Sequence, residues 1–238
     1  MTNVETVQET GRPPADGSTD NYDPVPEVVD WLVGLVTGVI GLVLTVLGVG
    51  LYTQVDQAMI SDVVTEEGVE VNGLTQSEFI TAAGQFVDWF AVGVIMTGLV
   101  SAVGGAAFIA VRRRTRRQVA REGGTTATFW ACTVYGAVMT ALVSFIPGSA
   151  VLGGGTAAYL HDSNSGVRIG TASGVVGTAL TLPLVAFLAV GFIAGGGAVG
   201  ELTGGGLLAA LVIGGELVAL TINAGLGACG GYLATRLL

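Results

Sequence analysis

The 238-residue chain has no lysine, one histidine, two cysteines and only 11% charged residues. Each shortage removes a class of function. Without lysine the glycine runs cannot form a phosphate loop of the GxxxxGK type, and they lack its strand context. Cys132 and Cys229 lie inside apolar segments without metal-ligand spacing, so both read as small apolar residues, and no metal or cofactor is expected. No paired acids and no nucleophile–base set appear, which speaks against an enzyme. The formal net charge of −9 speaks against nucleic-acid binding.

What the chain does have is apolar and small. Hydrophobic residues make up 51%, glycines number 39 and mean hydropathy is +0.72, which points to lipid as the solvent. Trp31 to Leu51 and Trp89 to Val111 carry no formal charge and are long enough to cross a bilayer. All nine basic residues are arginine, and six of them, Arg112, Arg113, Arg114, Arg116, Arg117 and Arg121, crowd together directly after the second run. Positive charge beside a span is retained inside the cell, so the stretch marks a cytoplasmic loop over 112–122. Anionic lipid headgroups are the partners it would attract, at about 1 kcal/mol per residue near the surface. Elsewhere the polar segments are almost wholly acidic. A lysine-free, acid-rich surface fits a high-salt environment, where screening removes self-repulsion.

The expected fold is all-α, an integral membrane bundle of about six transmembrane helices. Residues 1–26, with Pro13, Pro14, Pro24 and Pro26, are expected to be a disordered acidic tail. They lack the basic stretch and apolar core of a signal peptide. A two-helix membrane hairpin over 27–125 follows, its acidic loop 53–85 extracytoplasmic by parity with the arginine cluster. Within that loop Thr75-Gln76-Ser77-Glu78 is a capping box, so a helix starts at Gln76 and either projects as a stalk or breaks near Gly84. Residues 126–238 form a glycine-rich four-helix membrane domain, with helices at 126–146, 149–161, 168–194 (kinked at Pro183) and 207–235. The 149–161 helix covers only about 20 Å, so it either crosses at a thinned site or is re-entrant. Full crossing is preferred, because it leaves Arg168 and Arg236 on the arginine side and both termini cytoplasmic.

Small residues recur on single helix faces: Gly34, Gly38, Gly41, Thr45 and Gly48 in the first helix, Gly166, Gly170 and Gly174 in the fifth. Such stripes let helix backbones approach closely in lipid. Glu216 is the one acid deep within an apolar segment. Ionised and unpaired it would cost roughly 3 kcal/mol, so it is neutral, paired or facing water. Asn223 lies two turns along the same face, and the two form a candidate intramembrane polar site. His161, the sole histidine, closes the short helix, where a cation is favourably placed.

From Ile146 onward the chain carries, in order, Pro147-Gly148-Ser149, the run Gly153-Gly154-Gly155-Thr156-Ala157-Ala158-Tyr159-Leu160, Gly166-Val167-Arg168-Ile169-Gly170, and Gly227-Ala228-Cys229-Gly230-Gly231-Tyr232-Leu233. This order resembles small four-helix membrane domains of unknown function found in haloarchaea, over roughly residues 126–238. The resemblance implies a lineage and a fold, and carries over no functional residue. The expected role is therefore structural or interactive, in the cell membrane of a halophile, with oligomeric state open and a homo-oligomer included. The alternative is a small transporter or channel subunit using Glu216.

Overall fold

The computed structural model describes residues 25–67, 73–161 and 165–237, and every regular element among them is an α-helix. They are α1 (Glu27–Gln54), α2 (Gln57–Glu67), α3 (Gln76–Glu122), α4 (Phe129–Leu142), α5 (Ser149–His161), α6 (Gly166–Ala179), α7 (Leu182–Ala198) and α8 (Leu202–Leu237). By length and composition α1, α3 and α8 can each cross a membrane, and α6 with α7, bent by 42° at a short break, makes up to a fourth span. Leu32, Leu35, Leu42 and Val46 on α1 and Leu207 and Leu211 on α8 stand outward and exposed. Apolar faces of that extent are compatible with lipid contact.

α3 begins as its capping box requires. Thr75 Oγ1 accepts from the Glu78 amide at 3.3 Å, and the Glu78 carboxylate accepts from the Thr75 amide at 2.8 Å. The helix then runs unbroken through Gly84 for 47 residues, or about 70 Å. The arginine segment 112–122, expected as a loop, is its last three turns. Arginine is a good helix former, and nothing interrupts the pattern before Gly123 and Gly124. The acidic segment 53–85 likewise holds an unforeseen helix, α2, started by Asp56, whose carboxylate accepts from the Met59 amide at 2.8 Å. Of the tail expected over 1–26, residues 1–24 lie outside the described residues, as does Asp162. Val25 is buried, at 3% exposure.

Two seams of small residues hold the bundle. Gly34, Gly41 and Gly48 on α1 face Gly105, Gly98 and Ala91 on α3, seven residues apart in both helices and antiparallel. A Cβ on Gly41 would fall against the backbone of Gly98 and Ala102. Gly38, expected in the same stripe, points into open space, because one residue in every seven suffices for a near-parallel crossing. The second seam steps by four. Gly166, Gly170 and Gly174 of α6 lie against Gly231, Gly227 and Asn223 of α8, and Gly154 of α5 meets Gly227 from the other side.

α5 returns along α4. Gly153 packs on Gly136 and Thr140, and the His161 ring Nδ1 lies 2.9 Å from the Ala127 carbonyl oxygen. The end of α5 is thus beside the start of α4, and the hairpin opens and closes at one end of the bundle. At its tip Gly148 takes φ +85°, which glycine adopts without strain, and Phe145 is 81% exposed. The helix expected over 168–194 is two helices. Pro183 has no amide proton and its ring opposes the carbonyl four residues back, so α6 ends at Ala179 and α7 starts afresh with proline in its first turn.

Candidate functional site

Charge is concentrated where α1, α3 and α4 meet. Asp30, in the first turn of α1, is 3% exposed and takes three partners. Arg112 Nε donates to its Oδ1 at 2.8 Å, Arg116 Nε donates to its Oδ2 at 2.6 Å, and the Tyr135 hydroxyl donates to Oδ1. Arg112, 2% exposed, also donates through Nη1 to the Thr126 carbonyl, and its guanidinium lies over the Tyr135 ring at 5.7 Å. Arg116 Nη2 donates to the Val25 carbonyl at 2.7 Å. A carboxylate held by two guanidinium groups and a phenol ties three helices and both chain ends of the α1–α3 pair into one knot.

The six arginines therefore divide. Arg112 and Arg116 are interior ion-pair partners, not a mere topology signal. Arg113 stacks on the Trp31 indole at 4.6 Å. Arg114, Arg117 and Arg121 are exposed on the last turns of α3. Sequence reasoning missed Asp30 and Tyr135 as partners. The signal was present in Asp30, an acid at the membrane edge of α1, but its counter-charges lie 82 and 86 residues away.

The second polar site lies at the α6–α7 break. Glu216 and Asn223 reach the same place through two threonines. Asn223 Nδ2 donates to Thr178 Oγ1 at 3.0 Å, and Thr178 Oγ1 donates to the Gly174 carbonyl at 3.0 Å. Thr181 Oγ1 is 2.7 Å from Glu216 Oε1 and 2.6 Å from the Thr178 carbonyl. The Thr181 hydroxyl therefore stands between the Glu216 carboxyl and the Thr178 carbonyl, and links α8 to the break. At the break the Thr178 carbonyl is met by the Thr181 hydroxyl, and the two α8 side chains meet the threonine hydroxyls.

Comparison with known proteins yields no relative. No family model matches the chain, and no curated protein or solved structure matches it. The chemistry on offer is thus that of the residues alone. Among the described residues no three His, Cys, Asp or Glu side chains gather as metal ligands. Among the described residues, cavities lie between α3, α7 and α8, between α5 and α8, and where α1, α3, α4 and α6 meet, and Glu216 lines none of these.

Proposed function

We propose that the chain is a multi-pass membrane scaffold, a structural or interaction protein of a halophile's cell membrane. It crosses six times, by α1, α3, α4, α5, the bent α6–α7 pair and α8, with α4 and α5 as short spans at a thinned site and both termini cytoplasmic. The single observation that supports a static role is the way Glu216 is engaged: it bridges α8 to Thr181 at a helix break, as polar glue between helices. Backbone-on-backbone seams on both sides of it leave little freedom for the rocking motions of a carrier. The similarity of residues 126–238 to haloarchaeal membrane domains, and the lysine-free acidic surface, support the lineage. The exposed arginines at the end of α3 would meet anionic lipid headgroups on the cytoplasmic face.

A second reading, a small transporter or channel subunit, draws on the break itself. Discontinuous helices with a carboxylate at the gap are how many carriers hold cations. Flux assays in proteoliposomes separate the two, using dyes for protons and monovalent cations. The scaffold predicts no flux above empty vesicles and an unchanged melting temperature for Glu216→Gln, whose amide oxygen can still accept from the Thr181 hydroxyl. Wild-type flux that disappears in a folded Glu216→Gln protein would overturn it.

A further inference from the structure

At the end of the bundle opposite the arginines, α3 and the α7–α8 turn enclose a cavity of about 630 Å³, within the range of small-molecule sites. Three phenyl rings line it, those of Phe79, Phe86 and Phe192, the last two with centroids 4.7 Å apart. The remaining lining is aliphatic or glycine, apart from one charged side chain, Glu201, exposed in the turn that Gly200 makes at φ +78°. The cavity is there because Gly191, Gly195 and Gly205 let α3, α7 and α8 touch while adding no side chain to fill the space. Around it the charge has one sign. Asp56, Asp62, Glu66, Glu78 and Asp88 stand on α3 and the segment before it, whereas every described arginine lies at the other end, on the last turns of α3, the start of α6 or the end of α8.

We infer that this cavity binds an amphiphilic organic cation, its apolar body among the phenyl and leucyl side chains and its ammonium group against Glu201. An apolar interior alone would accept any lipid chain. The carboxylate at the rim and the acidic field around it repel phosphate headgroups and concentrate cations. The inference does not rest on the scaffold role, since binding at this end requires no transport.

The full-length protein in nanodiscs, titrated calorimetrically with decyltrimethylammonium and separately with decanol, tests it against empty discs. The wild type is expected to bind the cation saturably with one site per chain. Glu201→Gln should weaken the cation by about fivefold or more and leave decanol unchanged. Gly204→Leu should abolish both; a Cβ there meets open space, so the variant fills the cavity without pressing on the backbone. Matching melting temperatures of the variants and wild type show that neither change acts through unfolding. Absence of saturable cation binding to the wild type overturns the inference. So does cation binding indifferent to Gly204→Leu, which places the site elsewhere, or indifferent to Glu201→Gln, which makes it a site for neutral chains.

Discussion

A single carboxylate, Asp30, sets the register of the arginine-bearing end of the bundle. Its two oxygens face Arg112 on one side and Arg116 on the other, one turn apart on α3, so α1 cannot slide along α3 by a turn without losing one of the two ion pairs. Burying such a group contributes specificity more than net stability, because desolvation offsets most of the Coulomb attraction. Removing it alone is another matter, since the buried Arg112 guanidinium then loses the carboxylate it is paired with. Asp30→Asn is expected to cost about 3–5 kcal/mol in detergent unfolding, whereas Tyr135→Phe, which removes one donor, should cost about 1 kcal/mol. Equal losses in the two variants would show that the ion pairs are not the organising contact. The glycines behave as individually. Gly41→Leu drives a side chain into the backbone of α3 and should destabilise by about 3 kcal/mol or more, while Gly38→Leu points outward and should stay within about 0.5 kcal/mol. Thermal unfolding of the pair in one detergent checks the contrast, and a similar loss in both would mean the α1–α3 seam is wrongly drawn.

Element boundaries were legible in the sequence wherever a local rule sets them. The capping box fixed the start of α3, and Ser149 to His161 is the short helix its flanking turn residues implied. Where competing signals met, the sequence misled. The arginines read as a loop because charge ends a span, yet a helix leaves the membrane without unwinding. Pro183 suggested a kink and produced a full break, at which the Thr181 hydroxyl meets the Thr178 carbonyl locally. Gly98 and Gly105, the α3 half of the first seam, repeat at seven residues with Ala91 and were readable in principle; a search for steps of four hides them. Glu216 and Asn223 were legible as a pair, but the threonines that join them sit on another helix. The cap also makes a prediction at this scale. Hydrogen bonds from the Thr75 hydroxyl and amide hold the Glu78 carboxyl below its ordinary pKa of 4.5. A lowered folded-state value means that its contribution to the start of α3 is present above 4.5 and is lost as pH falls through the lowered value. Protection of the amides at the start of α3, taken relative to the intrinsic exchange rate at each pH, should therefore fall below pH 4.5 in the wild type. A Glu78→Gln protein should show no such change over the same range, and identical pH profiles would contradict the assignment.

For the whole molecule, the arrangement of ends matters more than the number of spans. Val25, Arg112, Thr126 and His161 lie at one end with the start of α6 and the end of α8, while α2, the start of α3 and the α7–α8 turn share the other. The hairpin of α4 and α5 leaves this arrangement unchanged whether or not its tip reaches the far surface, because it returns to where it began. Four long spans and a hairpin thus give the same sidedness as six crossings. On the proposed orientation the exposed arginines face the cytoplasm, and the acids and the phenyl-lined cavity face the outside. Substituted-cysteine labelling tests it most directly, with Cys132 and Cys229 first replaced by alanine and single cysteines placed at Thr65 on α2 and Arg117 on α3. With a membrane-impermeant maleimide on intact cells, Thr65→Cys should be labelled at once and Arg117→Cys only after the cells are opened. Labelling of Arg117→Cys in intact cells, with Thr65→Cys protected until lysis, would contradict the orientation.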